Sequence, residues 1–182
     1  KETEVMKYME DVDNGIQKLL EGYNVPLVVA SVESIFAQLK EVSSYKNLYP
    51  RCVPGNYDNG DILTVHEKAK DLLKPYFEEV KNDKKRRFSE SVERKTSSLD
   101  DVVVASGAGQ IDTLFVARNQ KVWGDYDRET GRIKVHDKKE PLDNCLLDFA
   151  ARNTFMKSGQ VFVDDMEDLP ENRSPVNAVL RF

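Results

Sequence analysis

The sequence predicts an α/β protein, a sandwich of helices on a sheet preceded by a shorter helix–strand–helix segment. Three observations predict it. Segments with apolar residues at helical spacing alternate along the chain with short β-branched or aromatic runs. The composition, 40% hydrophobic and 32% charged with 9 Gly and 7 Pro in 182 residues, is that of a chain that buries a core. A loop rich in Pro, Gly, Asn and Asp, from Asn47 to Asp61, separates two such series and places a domain boundary there, giving domains 1–60 and 61–182.

In the first series Val5, Met9, Val12, Ile16, Leu19 and Leu20 recur at helical spacing, and Gly22 and Asn24 end the helix. After Pro26, Leu27-Val28-Val29-Ala30 is a continuous apolar run, which suits a strand covered on both faces. Ser31 offers an N-cap for an amphipathic helix carrying Val32, Ile35, Phe36, Leu39 and Val42. One buried strand and two helices do not close a core, so the segment reads as the end of a domain whose other strands lie upstream of Lys1.

The second series opens with Thr64 and Glu67 as a capping box for a long helix. Its stripe runs through Val65, Ala69, Leu72, Leu73, Tyr76, Phe77 and Val80, with a bend expected at Pro75. Phe88 and Val92 continue the spacing beyond a dense basic run, Lys81 to Arg87. Ser98 and Asp101 start a short helix that ends at Gly107 and Gly109. Ile111 to Ala117 is a strand, and Lys121–Tyr126 and Arg132–Val135 form a hairpin around Asp127–Gly131. Pro141 precedes a helix bearing Leu142, Leu146, Leu147, Phe149, Ala150, Phe155 and Met156, with Gly159 as its C-cap. Val161–Val163 and Val176–Phe182 are strands on either side of an acidic loop, Asp164 to Glu171.

Charge and residue inventory exclude several classes of function. A net charge of −5 and a pI near 5.2 argue against general nucleic-acid binding, and DNA is not expected as a partner. No apolar run reaches the roughly 18–20 residues of a membrane span. The opening Lys1-Glu2-Thr3-Glu4 is not a signal peptide, and with no Met at position 1 the chain reads as a fragment of a longer, cytoplasmic protein. Cys52 and Cys145 are read as free thiols. His66 and His136 have no ligand-spaced partner and are read as surface residues, so neither a metal nor a cofactor is expected. Asp164, Asp165, Glu167 and Asp168 lack the spacing of an EF-hand and read as an exposed loop. No serine lies in a nucleophile elbow, and no catalytic residue is nominated.

Several segments together resemble the bacterial relatives of the archaeal and eukaryotic class I peptide-chain release factors. Pro26-Leu27-Val28-Val29-Ala30-Ser31-Val32-Glu33, followed by Tyr45-Lys46-Asn47-Leu48, resembles the stretch that closes the middle domain of those proteins. Gly109-Gln110-Ile111-Asp112-Thr113-Leu114-Phe115-Val116 resembles their helix-to-strand step into the third domain. Ser158-Gly159-Gln160-Val161-Phe162-Val163 and Ala178-Val179-Leu180-Arg181-Phe182 resemble its ending. The resemblance covers nearly the whole chain and rests on the order and spacing of short blocks. It implies the end of a middle domain followed by a complete third domain, a three-layer α/β/α sandwich with the fold of a kink-turn-binding ribosomal protein. It also implies a docking role for that third domain. Peptidyl-tRNA hydrolysis in the family depends on a Gly-Gly-Gln loop of the middle domain, which this chain lacks. Gly107-Ala108-Gly109-Gln110 is similar in letters but stands at a helix-to-strand turn.

Two surfaces are nominated. Lys81, Lys84, Lys85, Arg86 and Arg87 are candidates for RNA contact, against the alternative of a solvated helix face balanced by Glu78, Glu79, Glu90 and Glu93. Trp123 and Tyr126 are candidates for a partner surface, or else pack on the sheet. The leading expectation is a non-catalytic binding module of a translation-associated protein, acting through the ribosome, tRNA or a partner GTPase. The alternatives are an accessory domain of a stress-related or nucleic-acid-processing enzyme whose active site lies upstream, and a protein-interaction scaffold without an RNA role.

Overall fold

The computed structural model describes residues 2–57, 60–91, 93–127, 129–141 and 143–182. Asp58 and Asn59 of the Pro/Gly loop, Val92, Arg128 of the hairpin turn and Leu142, all within segments named above, lie outside them. The chain divides into two compact units, Lys1–Phe77 and Glu78–Phe182, and each is described by itself.

In the first unit, helix α1 (Glu2–Leu19) packs on α2 (Glu33–Val42), with Met9, Phe36 and Leu39 buried. Asp13 ties the two together. Its buried carboxylate accepts from Ser43 Oγ at 2.6 Å, from the Ser44 amide at 3.1 Å and from Ser44 Oγ at 2.8 Å. The apolar run 27–30 is half-buried, where the sequence predicts cover on both faces. Its hydrogen-bonding partner is the loop read as a linker. Leu27 bridges Leu48 in the parallel sense, and β1 (Ala30–Ser31) pairs in parallel with β2 (Val53–Pro54). Ser31 is therefore a strand residue, its carbonyl accepting from the Gly55 amide at 3.2 Å, and it does not cap α2. The N-cap position falls to Val32, whose side chain has no acceptor for a capping hydrogen bond.

Helix α3 (Ile62–Glu90) begins in the first unit and ends in the second, and it carries Pro75 in its interior. Asp61 starts it, not Thr64. The Asp61 carboxylate accepts from the Leu63 amide and from Thr64 Oγ1, each at 3.1 Å, and Thr64 already lies in the first turn.

The second unit is a three-layer α/β/α sandwich. Its central sheet has the order β3 (Lys95–Thr96), β9 (Val176–Leu180), β4 (Ile111–Ala117), β8 (Gln160–Asp164). β4 runs parallel to β8 and antiparallel to β9. Side chains of β4 alternate between two cores, as a sheet with both faces covered requires. Ile111, Leu114 and Val116 join α4 (Leu99–Ala108) and α5 (Leu146–Met156) through Val102, Ala105, Leu147 and Ala150. Phe115 and Ala117 face the other way, toward Phe88 of α3 and Leu169. Phe115 stacks on Phe162 and meets Phe88 edge-on, so an aromatic cluster fills this second layer.

The caps of α4 match the sequence. Ser98 Oγ accepts from the Asp101 amide at 3.3 Å, and Gly109 closes the helix in the left-handed region at φ 75°. Gly107-Ala108-Gly109-Gln110 is thus a helix terminus, with the Gln110 amide donating to the Ala105 carbonyl. Gly159 has a different reason from the one expected. The positive φ after α5 belongs to Ser158, at 62°, while a Cβ on Gly159 would lie 2.7 Å from the Ile111 carbonyl oxygen and 2.6 Å from Thr154 Cγ2. The hairpin β5 (Trp123–Tyr126) and β6 (Ile133–His136) is joined by β7 (Asn144–Cys145) in a separate three-stranded sheet of order β6-β5-β7. α5 accordingly begins only at Leu146.

Candidate functional site

The basic run of α3 divides between two faces of the helix. Lys81, Lys84, Lys85 and Phe88 follow the i, i+3, i+4, i+7 spacing of one stripe, and that stripe faces the sheet. Lys81 Nζ lies 3.0 Å from Asp164 Oδ1 and Lys85 Nζ lies 2.9 Å from Asp164 Oδ2. Lys85 also donates to the Asp168 carbonyl at 2.6 Å, and Lys84 pairs with Asp112 at 3.1 Å. Asp164, expected in an exposed acidic loop, is only 7% exposed. It stands at the end of β8 with its carboxylate between two ammonium groups. The carboxylates that balance these lysines are therefore strand residues, joined on Lys81 by Glu78 at 3.1 Å.

Burial by itself would raise the Asp164 carboxyl pKa. The hydrogen bonds and charges of Lys85 and Lys81 outweigh it and hold the group below its ordinary 3.8. Lys81 responds in the complementary sense: burial works to lower it, but its bonds to Asp164 and Glu78 leave it above its ordinary 10.5.

The outer face carries the rest of the run. Arg86 is exposed and pairs along the helix with Asp83 at 2.7 Å and with Glu90 at 3.9 Å. Arg87 is exposed and has no ion pair among the described residues; it lines a cleft with Arg94 and Arg181. The run thus contains three inward lysines that fix the sandwich and two arginines open to solvent.

Trp123 is half-buried against the α4–α5 core, with Lys139 Nζ 4.8 Å and Lys121 Nζ 5.6 Å from its ring centroid. Tyr126 meets Phe149 edge-on at 5.3 Å. Both aromatics pack on the domain and keep part of their surface in solvent.

His66 is exposed. His136 departs from the surface position expected of it, with a side chain 13% exposed and Nδ1 2.9 Å from each oxygen of Asp143. The backbone spacing of a strand end and the following loop brings these residues together, and sequence distance alone does not reveal it. His136, Glu140 and Asp143 place one donor atom each within 4.8 Å of one another. Asp143 fixes the ring through Nδ1, and Nε2 of His136 is buried without a hydrogen-bond partner among the described residues. The group acts as a brace for the loop after β6. No helix among the described residues is long and apolar enough to cross a membrane.

The second unit is an α/β/α sandwich, and the first holds helices and a parallel strand pair. A chain of the model of ribosome-bound archaeal Pelota and ABCE1 is similar in fold, with a TM-score of 0.52, 16% identity, and coverage of 97% of this chain and 49% of that one. Pelota of Archaeoglobus fulgidus is similar at 18% identity over 96% of this chain and 54% of its own, with a TM-score of 0.36. The chain therefore spans about half the length of the structures it matches. No curated protein matches it. The family model for bacterial archaeo-eukaryotic release factor family 3 matches residues 1–110, and the chain belongs to that family.

Proposed function

We propose that this chain is a non-catalytic binding module of a translation-associated, release-factor-like protein of the cytoplasm, one that contacts the ribosome, tRNA or a partner such as a translational GTPase. The observation that carries the reading is the family match over residues 1–110. The fold it shares with a chain of a ribosome-bound assembly supports it. In this reading residues 1–60 close a middle domain and residues 61–182 form the third.

The non-catalytic part of the proposal rests on the chemistry of the side chains. The nearest approach to a Gly-Gly-Gln loop is Gly107-Ala108-Gly109-Gln110, whose second glycine is occupied as a helix cap. Asp164 and Asp112, the carboxylates closest to a cationic cluster, are bound by lysines. Contact with RNA would come from the outward arginines of the α3 run, and contact with a protein from the half-exposed Trp123 and Tyr126.

Co-sedimentation with ribosomes at low and moderate salt tests the proposal, with Arg86→Ala/Arg87→Ala as the variant, since it leaves the inward lysines in place. Binding that weakens with salt and is lost in the variant supports ribosomal contact through α3. Binding unchanged in the variant moves the contact to another surface. Absence of binding by the wild-type chain overturns the ribosomal reading.

A further inference from the structure

Within the second unit a cleft of about 690 Å³ opens where the end of α3 meets the last residues of β9. It is lined by Arg87, Arg94 and Arg181, with Val179 and Leu180 among its other walls. These arginines come from three places in the chain: the last turn of α3, the segment leading into β3, and the residue after β9. Local sequence reading therefore does not group them.

The charge balance in the cleft is slightly positive. Three carboxylates also line it, Glu90, Glu93 and Asp112. Asp112 is paired with Lys84 at 3.1 Å and accepts from Thr113 Oγ1 at 2.7 Å. Glu90 faces Arg86 at 3.9 Å. Arg86 is held more closely by Asp83, at 2.7 Å, so Glu90, Glu93 and the helix end, which carries roughly half a negative charge, remain against three guanidinium groups. Neither Arg87 nor Arg94 has a side-chain ion pair among the described residues, and the Arg181 guanidinium donates to the Lys157 carbonyl at 2.6 Å while its charge helps to lower the Asp112 carboxyl pKa. Guanidinium forks match phosphate oxygens in pairs, and such open, weakly hydrated cations are what a phosphodiester backbone recruits.

We propose that the Arg87–Arg94–Arg181 cleft is an RNA-backbone site, and that the nucleic-acid contact of this domain is centred there and not on the lysines of the α3 run. The inference rests on the translation-associated reading above and gives it an address. The lysines are held by Asp164 and Asp112, so the phosphate-binding capacity passes to arginines that the fold assembles at one end of the sheet.

The test is fluorescence anisotropy of a labelled RNA hairpin against the 182-residue chain between about 50 and 200 mM salt. Arg94→Ala/Arg181→Ala lies outside the basic run. It is expected to weaken binding about tenfold and to flatten the dependence of log K on log salt by about 1.5–2 units, roughly one for each phosphate no longer neutralised. Arg94→Lys/Arg181→Lys keeps the charges, guards against disruption of the Lys157 hydrogen bond, and should restore the salt slope while recovering only part of the affinity. Arg86→Ala, on the outer face, should bind within about twofold of wild type. RNA binding by wild type that both double variants retain in full overturns the cleft and leaves the translation reading standing. No RNA binding by wild type at the lowest salt overturns the cleft as an RNA site and leaves the translation reading to rest on a protein partner. A poly-glutamate peptide that binds where RNA does not, with the same dependence on Arg94 and Arg181, overturns the RNA assignment in favour of an acidic protein partner.

Discussion

Replacing Asp164 by Asn isolates the contribution of the two-lysine clamp. The carboxylate is 7% exposed and meets Lys81 at 3.0 Å and Lys85 at 2.9 Å. The amide keeps the shape and one acceptor but removes the charge that faces two ammonium groups. A hydrogen bond to a charged group contributes about 1.5–3 kcal/mol; the one from Lys81 is affected, together with the ion pair to Lys85. The lysine side chains are 20% and 23% exposed, so they can turn partly into water. That relaxation brings the expected net loss to about 2–3 kcal/mol, below the full cost of breaking a deeply buried pair. In a unit of roughly 100 residues this lowers the melting temperature by about 8–20 °C. Urea and thermal unfolding followed by circular dichroism measure it. Asp165→Asn is the control: that side chain is 64% exposed and 3.4 Å from Arg118, and its loss should stay under about 0.5 kcal/mol. The pH dependence supplies a second signature. The folded pKa of Asp164 lies below the unfolded one, so its stabilisation is complete above about pH 4 and disappears as pH falls through the folded value. The gap between wild type and variant should be full at pH 7 and close in acid. A loss below about 0.5 kcal/mol at pH 7, or a gap independent of pH, would refute the clamp as a stabilising element.

Three further outcomes follow from the geometry. Asp13→Ala removes the acceptor of three hydrogen bonds from Ser43 and Ser44 and should cost the first unit about 2–3 kcal/mol, visible as faster hydrogen exchange in α1 and α2. Gly159→Ala drives a methyl group into the Ile111 carbonyl and Thr154, for an expected loss of about 2–3 kcal/mol by urea titration; a neutral result would mean that the β4–β8 contact yields easily. Ser98→Ala deletes the N-cap of α4 and should cost about 1 kcal/mol, with Ser98→Asp close to wild type in the same titration.

Much of the fold could be read locally, because its determinants are local. The stripe of α1, the Ser98 cap, the Gly109 terminus and the strand Ile111–Ala117 are each specified within a few neighbouring residues. The errors share a physical cause. Ser31 is a good N-cap residue in isolation, but the ladder with residues 53–55 draws it into a strand. Gly159 reads as a helix terminator until the approach of the Ile111 carbonyl is known. The same holds for the candidate surfaces. Lys81, Lys84 and Lys85 look like a solvated face because lysine is seldom turned inward. Their partners Asp112 and Asp164 stand on strands 28 to 83 residues away, beyond the reach of any periodicity. The arginine cleft depends likewise on chain segments brought together by the sheet.

The clamp around Asp164 also bears on how the sheet chooses its alignment. β8 is an edge strand held only by β4, and its apolar residues Val161, Phe162 and Val163 would suit either face. A slip by one residue would invert every side chain along it. Asp164 would then enter the hydrocarbon layer beneath α4 and α5, with no cation in reach. Phe162 would turn with it, and Lys81 and Lys85 would be left facing Phe115 and the valines of β8. A single carboxylate thus labels one side of a nearly uniform strand, and the two lysines are the reader of that label.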